Sequence, residues 1–177
     1  MFELFSALTS DDERRQIGNL ISFFIRKVNY GRDFEQQLTF YVDARGMFPN
    51  LDNVLQTLVN CVNKLSMDTR KIVKGNHTRK TAAFVKACSA YCFITIPTIL
   101  STIHRMDLYL LSGQVALVNL CLGQADACFE AAINLIPELP KYVEIDGKQK
   151  STETHLQSYV QKFLSILIVV PVSLISY

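Results

Sequence analysis

The sequence predicts an all-α fold, a segment of an α-solenoid or an irregular bundle of about seven antiparallel helices. Apolar residues recur at three- and four-residue steps along most of the chain, which is typical of one helix face. Short turns containing glycine, proline or a capping residue separate these segments. The chain has 177 residues, 49% hydrophobic and 19% charged. This composition fits a single domain, 1–177, and excludes a disordered chain.

The first three predicted helices have recognisable starts and stops. A capping box from Ser10 to Glu13 begins the first helix, and Gly31 follows its end. Its expected buried face is Ile17, Leu20, Ile21, Phe24 and Val28. The second helix is predicted from Asp33 to Arg45, with an expected buried face of Phe34, Leu38, Tyr41 and Val42. The third begins after Pro49 and Asn50 and ends near Lys74, before Gly75. Its apolar face is Leu51, Val54, Leu55, Leu58, Val59, Val62 and Leu65.

The later helices are less regular. Thr78 is predicted to cap a fourth helix that breaks at Pro97, because proline lacks a backbone donor and disfavours helical geometry at the preceding residue. A fifth helix is predicted from Thr98 to Leu111, closed by Ser112 and Gly113, and a sixth from Gln114 to Ile136. The stretch 117–122 is apolar almost all round, so we expect other helices to cover it on both sides. We predict an internal loop at 137–151 with a turn at Asp146–Gly147. The last predicted helix starts near Thr152 and ends by Pro171.

Two uncharged runs, 87–103 and 108–125, raise the alternative of a small membrane protein with a helical hairpin at 87–125. A spanning helix needs about 20 predominantly apolar residues. Both runs are shorter, and both contain helix-interrupting or polar residues, so buried helices explain them better. The first eight residues contain Glu3 and do not resemble a secretion signal, so we expect a cytosolic location.

Positive charge is concentrated in the middle of the chain. Between residues 64 and 105 one acid, Asp68, accompanies eight basic residues: Lys64, Arg70, Lys71, Lys74, Arg79, Lys80, Lys86 and Arg105. The segment is either a solvated helix end or a surface for an acidic partner or anionic lipid headgroups. An anionic-lipid-binding helical domain therefore remains a further alternative. The net charge of +2 and the absence of tryptophan argue against nucleic-acid binding.

No catalytic or cofactor site is predicted. His77, His104 and His155 are far apart in sequence, and none belongs to a recognisable catalytic motif. Cys88 and Cys92 share a helix face, but no other ligands complete a zinc set, so we expect reduced, buried cysteines. We therefore expect neither enzymatic activity nor a metal or cofactor.

Three long segments resemble one known family. They are 30–46 (YGRDFEQQLTFYVDARG), 69–97 (TRKIVKGNHTRKTAAFVKACSAYCFITIP) and 111–133 (LSGQVALVNLCLGQADACFEAAI). They are similar to the large subunit of the retriever complex, in the vacuolar protein sorting-associated protein 35-like family. The resemblance runs from about residue 17 to 171, in the carboxy-terminal part of that subunit. It implies a HEAT-like α-solenoid without catalytic activity, and it implies that this chain is a fragment of a longer scaffold with an atypical tail at 172–177.

The resemblance also implies function and partners. The family scaffolds a retriever/Commander-type complex that returns cargo from endosomes to the plasma membrane, so the implied location is cytoplasmic and peripheral on endosomes. The implied partners are a small sorting subunit with a metallophosphoesterase fold and other retriever and Commander subunits, through regions partly missing here. Candidate protein-binding residues are His77, Arg79 and Lys80, because they lie at a turn between paired helices and two are cationic.

Overall fold

The structure of the chain is a computed structural model that describes residues 11–145 and 148–175. In these ranges it has seven α-helices: α1 Asp11–Lys27, α2 Phe34–Met47, α3 Asp52–Ile72, α4 Arg79–Thr95, α5 Thr102–Val118, α6 Leu122–Asn134 and α7 Glu153–Ile175. Two 3₁₀ turns lie at Ile96–Thr98 and Ile136–Glu138. Strands β1, Tyr142–Ile145, and β2, Lys148–Ser151, form an antiparallel hairpin. The predicted all-α fold is confirmed.

The helices pack in two rows. The odd-numbered helices contact one another in the order α1, α3, α5, α7, and the even-numbered helices in the order α2, α4, α6. Between the rows, α2 packs against α3, α4 packs against α3 and α5, and α6 packs against α5. Stacked helix pairs with this neighbour-to-neighbour pattern are the architecture of an α-solenoid. The arrangement therefore decides between the two predicted architectures in favour of the solenoid.

Helix α3 lies at the centre of the core. Its apolar face is buried as predicted, and Val54, Leu58, Val59 and Val62 are completely excluded from solvent. This face contacts α1, α2, α4 and α5. One buried polar pair crosses the same region, where Asn63 Nδ2 donates a hydrogen bond to Ser112 Oγ over 2.9 Å. Because both polar groups are paired, their burial costs little.

Local capping residues set several helix boundaries as the sequence predicts. Asp33 Oδ1 accepts a hydrogen bond from the Gln36 amide at the start of α2. Thr78 Oγ1 accepts one from the Thr81 amide at the start of α4. The predicted break at Pro97 is also present, as the 3₁₀ turn between α4 and α5. The predicted Ser10 cap lies outside the described residues.

The predicted boundary between the fifth and sixth helices is wrong. Helix α5 continues through Ser112 and Gly113 to Val118, and the chain turns at 119–121. Gly113 is buried, and a Cβ there would lie 2.5 Å from the Phe129 ring of α6. The glycine therefore permits a close helix crossing. The turn instead uses Leu120 in the left-handed region, with φ 60°, and the Cys121 amide bonds to Ala116 O. Leu120 and Leu122 are exposed, contrary to expectation.

The buried faces of α1 and α2 also differ from expectation. In α1, Ile25 and Ser22 are buried, whereas Ile17, Leu20 and Phe24 are exposed. In α2, Val42 is exposed and Gln37 is buried. Gln37 has a specific partner set, because its Oε1 accepts from the Tyr30 amide and its Nε2 donates to Val28 O. This buried amide closes the loop between the two helices, a role that apolar periodicity does not reveal.

The carboxy-terminal part shows two further differences. The predicted internal loop at 137–151 contains the β1–β2 hairpin, in which Tyr142 pairs with Ser151 and Ile145 with Lys148. The turn predicted at Asp146–Gly147 lies outside the described residues. Helix α7 does not end by Pro171 but continues to Ile175, so most of the 172–177 tail is helical in its backbone. Proline removes one helical hydrogen bond, and a helix can continue past it.

The two uncharged runs do not form a helical hairpin. Run 87–103 includes the end of α4, a 3₁₀ turn and the start of α5, and run 108–125 crosses the α5–α6 turn. Among the described helices, none combines the length and the apolar character that crossing a bilayer requires.

Candidate protein-binding surface

The candidate residues His77, Arg79 and Lys80 lie at one edge of the helix stack. This edge contains the α3–α4 turn, the α5–α6 turn and the start of α2. The structure therefore brings together three segments that are more than 30 residues apart in the chain. The three candidates do not, however, have the same role.

His77 holds two turns together. Its Nε2 lies 3.1 Å from Asn119 Oδ1, across the gap between the α3–α4 and α5–α6 turns. Asn119 is buried, and its Nδ2 donates to Ser66 Oγ and to Val115 O. Because that amide nitrogen is the donor, Oδ1 is the acceptor, and the His77 proton is assigned to Nε2. His77 therefore positions the turn.

Arg79 and Lys80 are exposed cations in the first turn of α4. Lys80 Nζ lies 3.0 Å from Glu35 Oε1, but the lysine side chain is 81% exposed. Exposed pairs of this kind contribute little, so the lysine can exchange this partner at small cost. Both cations lie near the positive end of the α4 dipole, whereas Arg70 and Lys71 lie in the last turn of α3, where the dipole favours them.

A groove lies beside these cations, and the sequence analysis did not predict it. A cavity of about 770 Å³ lies between the starts of α2 and α4 and the end of α3, with Phe34, Ile72, Val73 and Phe84 among its lining residues. A second cavity of about 450 Å³ lies between α1, α2 and α3. Both are lined by Phe34 and Ile72, and the two adjoining cavities are together called the α2–α4 groove here. Periodicity does not identify such a groove, because its walls come from separate helices.

The predicted cysteine burial is confirmed. Cys88 and Cys92 are buried in α4, and Cys92 Sγ donates a weak hydrogen bond to Val59 O. Burial raises the pKa of the Cys88 thiol to about 12 and that of Cys128 to about 11. These thiols therefore stay protonated at neutral pH, in a form that is a poor nucleophile and a poor metal ligand. The described part of the chain contains no cluster of side chains suited to a metal ion.

Fold and surface together define a class: a segment of an α-solenoid whose accessible features are charged turns and a groove between helices. The comparison with known families is more specific. The family model VPS35L C-terminal domain matches residues 1–173. The chain belongs to the VPS35L family, and its sequence corresponds to the C-terminal domain.

Curated relatives from distant organisms match this chain along most of its length. The chain is 56% identical over 171 residues to the human protein named VPS35 endosomal protein-sorting factor-like. It is 56% identical over 167 residues to the Drosophila melanogaster relative and 47% identical over 166 residues to that of Dictyostelium discoideum, both named in the same way. These matches cover 94–97% of this chain but only 17–18% of the relatives. The chain thus belongs to a family of endosomal protein-sorting factors and spans less than a fifth of their length.

Proposed function

We propose that the chain is a non-catalytic scaffold segment of a retriever/Commander-type complex that recycles cargo proteins from endosomes to the plasma membrane. The observation that carries the proposal is the family match along residues 1–173, on a chain whose helices stack as a solenoid. In such stacks each helix pair contacts only its neighbours, which leaves long surfaces available to other proteins. The complex would hold this segment in the cytoplasm, peripherally on the endosomal membrane.

Two of the three histidines, His77 and His104, make hydrogen-bond contacts with side chains of other elements. Besides the His77–Asn119 contact, His104 Nδ1 lies 3.0 Å from Gln56 Nε2, and His155 Nε2 lies 3.9 Å from Asp107 Oδ2. His77 thus links two turns and His104 links α5 to α3. This supports a scaffold more than an enzyme.

The proposed direct partner is a small sorting subunit with a metallophosphoesterase fold. Other retriever and Commander subunits would bind parts of the family's scaffold that the longer relatives have and these 177 residues do not include. We propose that the α3–α4 turn is part of the docking surface. His77 fixes the turn by its contact with Asn119, and Arg79 and Lys80 project cations next to it. Arginine at such a site can bind a carboxylate through two parallel hydrogen bonds.

Affinity copurification tests this proposal. The chain and the metallophosphoesterase-fold subunit are co-expressed, with a tag on the subunit. The wild-type chain should copurify. The amount of the double variant Arg79→Glu, Lys80→Glu that is retained should be at least tenfold lower, which corresponds to a loss of about 1.4 kcal/mol of binding free energy. Lys162→Glu, an exposed change on α7, is the matched control and should bind as the wild type does. No copurification of the wild type would contradict the proposed partner, and equal retention of the double variant would contradict only the proposed surface.

A further inference from the structure

The apolar part of the α2–α4 groove is the cavity that Phe34, Ile72, Val73 and Phe84 line. The Phe34 and Phe84 ring centroids are 6.4 Å apart across its wall. Ile72, at the end of α3, is 65% exposed and lines both cavities. A large aliphatic side chain that is exposed inside a groove gains free energy when another apolar group covers it. The groove therefore has space and a driving force for one or two apolar side chains.

The acidic residues that line the groove are all engaged. Asp33 caps α2, Glu35 pairs with Lys80, and Asp68 pairs with Lys71 over 3.0 Å. The cations are in excess. Arg32 and Lys64 line the groove and have no ion pair among the described residues, and Arg26 donates only to the Thr57 hydroxyl. The walls thus present cations that lack an acidic partner.

The neighbouring helix ends extend this positive surface. Arg70, Lys71 and Lys74 follow one another at the end of α3, and Arg79 and Lys80 begin α4. The dipole of α3 stabilises the first group, but that of α4 does not stabilise the second. An anionic group bound between the two helix ends would interact favourably with both. The favoured occupant therefore carries negative charge next to apolar side chains.

The shape favours a peptide over a membrane. Phe34 and Phe84 are half-buried and line the cavity between the starts of α2 and α4, where an extended chain can insert a side chain, whereas a flat bilayer surface contacts only the rim. We propose that the α2–α4 groove binds a linear segment of a partner protein in which one or two apolar residues are flanked by aspartate or glutamate. The apolar side chains lie beside Phe34, Ile72 and Phe84, and the flanking acids contact Arg32, Lys64 and the start of α4.

Selection from a phage-displayed library of random 12-residue peptides on the wild-type chain tests the proposal. The enriched peptides should share an apolar residue with acids on both sides. A synthetic copy of the most enriched peptide, labelled with fluorescein, should bind in solution, and its affinity should fall as salt is raised. Enrichment of neutral or basic peptides, or no enrichment, would overturn the proposal.

Variants of the chain locate the binding. Arg32→Glu with Lys64→Glu should raise the Kd of the labelled peptide at least tenfold, and Ile72→Ser should raise it at least threefold. All three side chains are exposed, so these changes leave the core intact. Lys162→Glu on α7 is the control and should leave the Kd unchanged. Equal affinity for all variants would show that the peptide binds elsewhere and would overturn the proposal.

Vesicles of phosphatidylcholine and phosphatidylserine separate a peptide site from a lipid surface. A membrane contact would be indicated by two results together: the wild-type chain binds the vesicles and the double variant Arg32→Glu, Lys64→Glu does not, while the selection enriches no acidic peptide. These results would overturn the proposal. The peptide and vesicle experiments use this chain without the proposed metallophosphoesterase-fold subunit. The two sites share the start of α4, but peptide binding is tested at Arg32, Lys64 and Ile72 and needs no partner subunit, so either proposal can fail alone.

Discussion

Gly113 determines how closely α5 and α6 approach each other. A Cβ at this position would overlap Phe129, whose ring packs edge-on against Phe163 at 5.5 Å and so has little room to move. We expect Gly113→Ala to lower the free energy of unfolding by about 1–3 kcal/mol, although alanine favours helix elsewhere. Urea denaturation followed by circular dichroism measures the change.

Gly123 in α6 is the matched control for this substitution. Nothing lies within 4 Å of its ideal Cβ, so Gly123→Ala should leave stability unchanged or raise it by up to about 1 kcal/mol. Adding Phe129→Leu to Gly113→Ala should restore part of the loss. Equal effects of the two alanine substitutions would contradict the close crossing.

Asn119 joins the two turns at the candidate surface. Its side chain bonds to Ser66 and to Val115 O and accepts from His77. Asn119→Ala leaves these partners unpaired, and we expect it to cost about 1–3 kcal/mol of stability. It should also increase amide hydrogen exchange at 73–78, because the turn loses its tie to α5. Unchanged exchange there would show that His77 does not position the turn through Asn119.

At the scale of elements, the sequence predicted what local interactions decide. The start of α2 depends on Asp33, the start of α4 on Thr78, and the break after α4 on Pro97, and each acts within a few residues of its own position. The buried face of α3 was predictable because its buried side chains form one continuous apolar stripe, which is visible as a period in the sequence. These elements needed no knowledge of distant contacts.

The elements predicted wrongly depend on tertiary contacts. In the sequence, Gly113 indicates the end of a helix. The structure shows that this residue is glycine because the Phe129 ring lies against it. The face of α1 was misassigned because apolar residues line two sides of that helix, and only the position of α3 shows that the Ile25 side is the buried one. The strands of the hairpin are four residues each, too short for a clear alternation.

The buried thiols of α4 and α6 make stability fall at alkaline pH. In the unfolded chain a thiol with a pKa near 9 loses its proton above pH 9, whereas folding raises the pKa of Cys128 to about 11 and that of Cys88 to about 12. Folding thus favours the protonated form, and its contribution is lost as pH rises from 9 towards 11 or 12. Each thiol lowers the free energy of unfolding by up to about 1.4 kcal/mol per pH unit in its window.

Urea denaturation at pH 7.5, 9 and 10 checks this expectation. Stability should change little between the first two values and fall clearly by the third. Cys88→Ala should lose stability at neutral pH, because it leaves a cavity, but should show a smaller further loss at pH 10. An equal alkaline loss in the variant would mean that Cys88 does not contribute to it.

At the scale of the whole molecule, both end helices of the stack present apolar side chains to solvent. On α1 these are Leu20, Phe23 and Phe24, and on α7 they are Leu164, Leu167 and Ile168. Contiguous exposed apolar faces favour association. We expect the isolated chain to self-associate, and Leu20→Gln with Phe24→Gln to reduce this without lowering thermal stability. Val42→Gln, at an isolated exposed position, should not change it. Light scattering at two concentrations makes the comparison, and self-association unaffected by the α1 variant would contradict this role of α1.

The candidate surface was only partly predictable. The sequence indicated the cationic α3–α4 turn, because Arg79 and Lys80 follow a helix end in a basic segment. It did not indicate that His77 is tied to Asn119, 42 positions away, or that Phe34, Ile72 and Phe84 line one groove. Both features arise where stacked helices meet.

The central proposal is that this two-row segment binds the small metallophosphoesterase-fold subunit. Size-exclusion chromatography with multi-angle light scattering of the co-expressed pair tests it most directly. With the α1 face made polar by Leu20→Gln and Phe24→Gln, so that self-association does not add to the mass, the account predicts one peak whose mass is the sum of one copy of each chain. Separate elution of the subunit, with this chain alone or aggregated, would contradict the claim.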